Sequence, residues 1–152
     1  MIQYQREQWD RFCPDAMELF KEHNNEVGED NEEFDPDYDE TGKACEKGVL
    51  VVFTARKNDK LVGYLWFGVS RHLVNKKTIC ATQCLFFVTA NERQGRVGIG
   101  LYKYAIEELK NMGVTKVYPH HFLRSDSARL GEFFKRLGAV ELQHEYSLKI
   151  GD

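Results

Sequence analysis

The stretch Leu85-Phe86-Phe87-Val88-Thr89-Ala90-Asn91-Glu92-Arg93-Gln94-Gly95-Arg96-Val97-Gly98-Ile99-Gly100-Leu101 constrains the fold more than any other part of the chain. A run of β-formers enters a glycine-rich turn. Val97, Leu101, Tyr104, Ala105, Leu109 and Met112 then recur at helical spacing as far as Gly113. The run Leu85 to Val88 is apolar on both faces, which places it centrally in a sheet. A helix opening directly after such a strand presents unpaired N–H groups and the positive end of its dipole, an arrangement suited to phosphate. Glycines let a phosphate approach the backbone, and Arg93 and Arg96 can add charge-assisted hydrogen bonds. Gly95-x-x-Gly98-x-Gly100 is not the dinucleotide pattern GxGxxG, and no Lys-Ser/Thr follows as in a P-loop. The turn therefore reads as a pyrophosphate cradle lined by the amides from Gln94 to Gly100.

Before this stretch, Val49 to Ala55 and Leu61 to Val69 read as strands joined by the turn Lys57-Asn58-Asp59-Lys60. A third strand is expected from Thr78 to Thr89. Nearer the N-terminus, Ala16, Leu19, Phe20 and His23 recur at helical spacing, with Pro14 suited to a first turn. His23 on that apolar face is expected to be a packed residue. After Gly113, Thr115 to Phe122 reads as a strand. Ser125-Asp126-Ser127 offers caps for a helix carrying Leu130, Phe133, Phe134 and Leu137 on one face, closed by Gly138. Val140 to Ile150 reads as a last strand. The expected order is helices, then β-β-β-α-β-α-β, a mixed α/β sheet. A length of 152 residues fits a single domain over 1–152.

Composition narrows the function. A net charge of −3 gives no sign of a nucleic-acid footprint. No apolar run suits a membrane span, and Met-Ile-Gln-Tyr-Gln-Arg-Glu is no signal peptide, so a cytoplasmic location is expected. Cys13, Cys45, Cys80 and Cys84 contain no CxxC pair, and about 13 Å of strand would separate Cys80 from Cys84. Free thiols and no metal site are expected. Asp35-Pro36-Asp37-Tyr38-Asp39 with Glu46 mimics a calcium loop, but Glu40 stands where the loop needs glycine. Charge is unevenly spread: Glu26 to Glu40 holds nine acids and no Lys or Arg, leaving 21 basic against 15 acidic residues elsewhere. This segment is either a solvated loop or a rim that attracts a cationic substrate.

The pattern Val-x-x-x-x-Arg-x-x-x-x-Gly from Val88 to Gly98, followed by the helix to Gly113, resembles the acetyl-CoA motif of the GCN5-related N-acetyltransferase (GNAT) superfamily. So does the tail helix from Ser125 to Ala139, which is similar to the family's Asn-x-x-Ala-x-x-x-Tyr-x-x-x-Gly-Phe segment. The likeness covers about Val49 to Ile150, and the overall spacing resembles small phage-encoded members. It implies a single α/β domain whose central, mixed, mostly antiparallel sheet is flanked by helices and splayed between its fourth and fifth strands. It implies acetyl-CoA as acetyl donor, held by backbone of Phe87, Val88 and Thr89 and by Arg93, Gln94, Gly95, Arg96, Val97, Gly98, Ile99 and Gly100, with Ser125 and Phe134 nearby. Arg93 matches the family's Arg/Gln and Gly98 its final Gly/Ala, while Arg96 replaces a glycine. A second register puts Gly98 and Gly100 on the two glycines but leaves Gly95 where Arg/Gln belongs. Ser125 stands for Asn, and Phe134 stands where the family often has a tyrosine acid.

Direct transfer needs a base for the attacking amine and backbone donors for the carbonyl oxygen. Glu26 and one of His120 or His121, which alternate across a strand, are the candidate bases. With a phenyl ring at Phe134, Tyr146 and Tyr118 are the reserve acids. The expected activity is N-acetylation of a primary amine in a ternary complex; the acceptor is a cationic small molecule or a protein lysine. A CoA-binding module without acyl transfer, acting by protein contact, is the alternative. A homodimer is compatible with the sequence, which does not fix an oligomeric state.

Overall fold

The β-rich runs and the turn between them fold as the pattern requires. Asn58 and Asp59 adopt φ of 50° and 66°, the left-handed pair that matches a two-residue hairpin to strand twist. The computed structural model describes residues 1–28, 32–123 and 128–151. The chain runs β1 (Ile2–Glu7), α1 (Trp9–Val27), α2 (Tyr38–Glu46), β2 (Leu50–Lys57), β3 (Lys60–His72), β4 (Asn75–Val88), a 3-10 turn (Ala90–Glu92), α3 (Val97–Asn111), β5 (Lys116–Tyr118) and α4 (Ala128–Arg136). The sheet has five strands in the order β1-β2-β3-β4-β5, antiparallel except for the parallel β4–β5 pair. It is the mixed, mostly antiparallel sheet that the sequence implies.

Each face of the sheet buries its own cluster. On one face, Phe53, Leu65, Phe67 and Val88 of the sheet pack with Leu101 and Tyr102 of α3 and Phe133 and Phe134 of α4. On the other, Tyr64, Trp66 and Phe87 of the sheet pack with Phe12 and Phe20 of α1. Gly42 of α2 is buried because a Cβ there would meet the Trp9 ring at 2.7 Å, so its absence lets α2 close on α1.

Four expectations need correcting. The expected order opens on helices, whereas β1 precedes them, pairing with β2 and packing Ile2 and Tyr4 on the core. Glu7 is buried and takes a bidentate pair from Arg56 (2.6 and 2.9 Å), with Thr54 and Gln5 also donating to it. α1 starts at Trp9, so Pro14 lies inside the helix rather than in its first turn. β5 stops at Tyr118 instead of reaching Phe122, because Pro119 has no N–H to continue a ladder. Val140 to Ile150 forms no strand at all. Helix α2 also occupies the would-be calcium loop: Asp37 caps it, accepting from Glu40 N–H at 2.9 Å.

Candidate active site

β4 positions the site, and a single extra residue in it decides which side chains arrive there. Trp66 pairs with Leu85 and Phe67 with Gln83, so Cys84 is a bulge. Simple alternation would put Gln83 on the α1 face with Leu85 and Phe87. The bulge turns it to the α3 face, where Tyr102 Oη donates to its Oε1. The same Gln83 oxygen accepts His120 N–H at 3.1 Å. β5 pairs with β4 only over Cys80–Thr82, so among the described residues no strand lies beside β4 on that side from Gln83 onward. The side chain of Gln83 thus replaces the ladder at the fork of the splay. Pairing alternation fixes which backbone groups face the gap. Thr89 N–H is given to Val62 O (2.9 Å), so Phe86 and Val88, not Phe87 and Thr89, direct their backbone toward the open side.

The turn beyond β4 has the open amides that its glycines suggest. Gly100 N–H donates to Arg96 O (2.8 Å), the first bond of α3, and Arg96 supplies no side-chain cap. Among the described residues, the N–H groups of Gln94, Arg96, Val97, Gly98 and Ile99 have no protein acceptor. They carry the positive end of α3. The three glycines differ in their reasons. A Cβ at Gly98 would stand 3.0 Å from the Phe86 ring, and one at Gly100 would overlap the Tyr4 hydroxyl, so both serve helix–sheet packing. Gly95 meets only Glu92 O at 3.5 Å and is the one whose side-chain space is open. Arg96 is exposed beside the amides. Arg93 instead ties the end of β4 to the end of α1. Its Nε donates to Val88 O, its Nη2 sits 2.7 Å from both oxygens of Glu26, and its guanidinium lies 5.2 Å over Phe87.

Glu26 is therefore an ion-pair partner of Arg93, close to β4 but with both oxygens engaged. His120 stands at the mouth of the fork. Desolvation holds its imidazole below the ordinary histidine value, His121 adding to this and Glu145 opposing it, so it is neutral at physiological pH. His121 packs toward α4: its Nδ1 lies 3.0 Å from Phe122 O and its Nε2 fits against Gly131. Phe134 is buried, with its ring 5.1 Å from that of Tyr102. Tyr102, which sequence reasoning missed, is the phenol beside it, and burial pushes its pKa well above the ordinary value. Tyr118 lies on β5 under Lys116, and Tyr146 is exposed on the C-terminal segment. Ser125 lies outside the described residues. His23 is buried as expected, 2.7 Å from Tyr64 Oη. The Cys13, Cys45 and Cys84 thiols are all pushed up by burial, Cys45 to about 11, so none of the three is primed as a nucleophile.

A cleft of about 700 Å³ opens on the other side of the post-β4 loop, lined by Leu19, Glu22, Lys57, Lys60, Val62 and the loop Thr89 to Glu92. Its lining includes none of the residues from Gln94 to Ile99. Of the acidic segment, Glu26 pairs with Arg93, Glu40 with Lys43 (2.6 Å), and Asp37 is a cap; Glu32, Glu33 and Asp35 are exposed. Phe34 and Tyr38 pin this segment to the α1 cluster.

The profile of the family described as "Acetyltransferase (GNAT) family" matches residues 9–139. Solved structures with the same fold include an aminoglycoside acetyltransferase, meta-AAC0020, from an uncultured soil metagenomic sample in complex with sisomicin (TM-score 0.78, 16% identity, 99% of this chain and 97% of that one). A ribosomal-protein-alanine N-acetyltransferase from Brucella melitensis biovar Abortus 2308 superposes with a TM-score of 0.75 at 12% identity, over 99% and 100% of the chains. A predicted acetyltransferase with acetyl-CoA from Clostridium acetobutylicum gives 0.69 at 14% identity, over 98% and 96%. No curated protein sequence matches the chain significantly.

Proposed function

The chain belongs to the acetyltransferase (GNAT) family, and from that premise we propose that it moves the acetyl group of acetyl-CoA to a primary amine by direct attack in a ternary complex. One observation carries this reading. A half-strand with no partner on one side leads straight into a turn of open amides, so an extended arm and its phosphates find matching surfaces in sequence. Acetyl-CoA supplies the activated acyl group; the chain supplies the rest. The open amides of Gln94, Arg96, Val97, Gly98 and Ile99, with the Arg96 side chain, hold the pyrophosphate. Phe86 and Val88 pair with the pantetheine arm, and Val88 N–H is the donor for the thioester oxygen. His120, neutral and at the fork, takes the amine proton. Tyr102, a phenol packed on Phe134, is read as the donor to the departing thiolate, exchanging its bond to Gln83 Oε1 for that proton transfer. Arg93 holds Glu26 against β4, so Glu26 shapes the site's field rather than serving as the base.

The acceptor is read as cationic, a polyamine, an aminoglycoside or a lysine-rich protein surface, because Glu32, Glu33 and Asp35 are exposed without a cation in their own segment. The buried Phe134 favours the alternative, a CoA-binding module without turnover. Thiol release from acetyl-CoA across a panel of amines separates the two. Release that depends on an amine supports transfer. Tight CoA binding with no amine-dependent release supports the silent module.

A further inference from the structure

The long strands β3 and β4 run on past the rest of the sheet. The last β2 partner of β3 is Leu50 opposite Gly68, and the first β5 partner of β4 is Lys116 opposite Cys80. Beyond these pairs the chain is a two-stranded arm that turns at Leu73-Val74. Side chains fix its apex: His72 Nδ1 accepts Val74 N–H at 3.3 Å, and Asn75 Oδ1 accepts Lys77 N–H at 3.1 Å. The register jumps from Arg71 opposite Ile79 to His72 opposite Asn75, which leaves Lys76, Lys77 and Thr78 as a bulge. Two large aliphatic side chains crown the arm, Leu73 100% and Val74 88% exposed. Its charge is one-sided. From Leu61 to Asn91 the chain carries Arg71, Lys76 and Lys77 and no acid, leaving 18 basic against 24 acidic residues elsewhere. Among the described residues none of these three cations has a carboxylate partner. Lysines on a free edge discourage pairing between sheets, but that role does not call for adjacent aliphatics at the apex.

We propose that this arm docks the protein end-on to an anionic lipid bilayer. Leu73 and Val74 enter the boundary between headgroups and acyl chains, and Arg71, Lys76 and Lys77 lie at the level of the phosphates. Two aliphatic side chains or three cations alone bind weakly; together they give a reversible attachment. The acid excess elsewhere on the chain is repelled by the same surface, so contact is confined to the arm. A nucleic acid offers phosphates to the cations but no acyl layer to the two aliphatics. β4 runs from Asn75 to Val88. At about 3.3 Å per residue, the amide turn after Val88 stands roughly 40 Å from the bilayer, several Debye lengths away. The proposed acetyl-CoA site thus faces water while the arm is docked.

The test uses the full chain with vesicles of phosphatidylcholine alone or with about one third phosphatidylserine. Co-sedimentation at low salt should show binding about tenfold tighter to the mixed vesicles. Near 1 M salt, where the Debye length is about 3 Å, that preference should shrink severalfold. Leu73→Ser with Val74→Ser should weaken binding to mixed vesicles about tenfold, and so should Lys76→Gln with Lys77→Gln. All four side chains are exposed, so both variants should melt with the wild type. Leu73→Trp adds a fluorophore at the apex, apart from the native Trp9 and Trp66. Its emission should shift to the blue on mixed vesicles and be quenched by lipids brominated in the acyl chains. Equal affinity for the two vesicles, no binding, full binding by the serine variant, or no quenching in Leu73→Trp would each overturn the proposal. So would tighter binding to a DNA duplex than to mixed vesicles, which would make the arm a nucleic-acid contact. If the serine variant does not fold, the wild-type and Leu73→Trp measurements already decide.

Discussion

Replacing Gly95 with aspartate tests the proposed cradle with little disturbance to packing. A Cβ at 95 meets only Glu92 O at 3.5 Å, ordinary contact, and Gly95 is not among the positive-φ glycines. The added carboxylate would face the open amides of the turn. At about 6 Å from one phosphate charge, repulsion is about 2.8 kcal/mol with an effective dielectric of about 20, falling toward about 0.7 kcal/mol in full water screening. That range corresponds to roughly a 3- to 100-fold loss of acetyl-CoA affinity. Gly95→Asn, nearly the same size and neutral, controls for shape. Isothermal titration calorimetry at low salt should find Asn within about twofold of wild type and Asp weaker by the range above. Near 1 M salt, where the Debye length is about 3 Å, the gap should shrink. Wild-type affinity in the Asp variant, or equal losses in Asn and Asp, would show that the phosphates lie elsewhere.

Four further outcomes follow from the geometry. Glu7 has a folded pKa below the ordinary carboxylate value: burial would raise it, but hydrogen bonds from Arg56, Thr54 and Gln5 and the Arg56 charge outweigh that. Its stabilisation is therefore full above the unfolded pKa and lost as pH falls through the folded one. Glu7→Gln should flatten the acid limb of a melting-temperature profile and cost about 3–5 kcal/mol at neutral pH by stranding Arg56. His120→Gln should lower kcat at least tenfold and remove from the pH–rate profile a limb lying below the ordinary histidine value. Tyr102→Phe should lower kcat by about 10- to 100-fold, and Phe134→Tyr in that background should recover part of it; no loss in Tyr102→Phe would exclude the phenol as proton donor. Neutralising Glu32, Glu33 and Asp35 together, and sparing the Asp37 cap, should reduce kcat/KM for cationic but not neutral amines, most at low salt; equal effects on both would remove the rim from substrate selection.

The centre of the molecule was legible because local and global preferences agree there. The hairpin, β4, the glycine turn and α3 combine the right period with the right turn residues, and tertiary packing had nothing to override. β1 was hidden because its burial rests on a charge: Glu7 reads as solvent until Arg56 arrives from β2. α1 begins early because Trp9 and Phe12 pack with Trp66, a contact far from Pro14, where the helix start was expected. Gln83 and Tyr102 were beyond reach of periodicity, since a bulge at Cys84 reverses the face of everything before it in β4. Arg93 and Glu26 were both picked out, but for separate tasks; only the fold reveals that they bind each other. The C-terminal alternation from Val140 to Ile150 has the period of a strand, but period alone does not make one: the segment pairs with no strand of the sheet, and its apolar side chains stay exposed.

The most direct measurement follows the acetyl group itself. The protein is incubated with acetyl-CoA labelled in the acetyl carbons and an extract or amine panel, and the label is traced by mass spectrometry. The account predicts label in amide linkage on a primary amine, appearing in step with free CoA thiol and absent when the amine is withheld. Label that stays on CoA despite tight binding, or that leaves only as free acetate whether or not an amine is present, would contradict it.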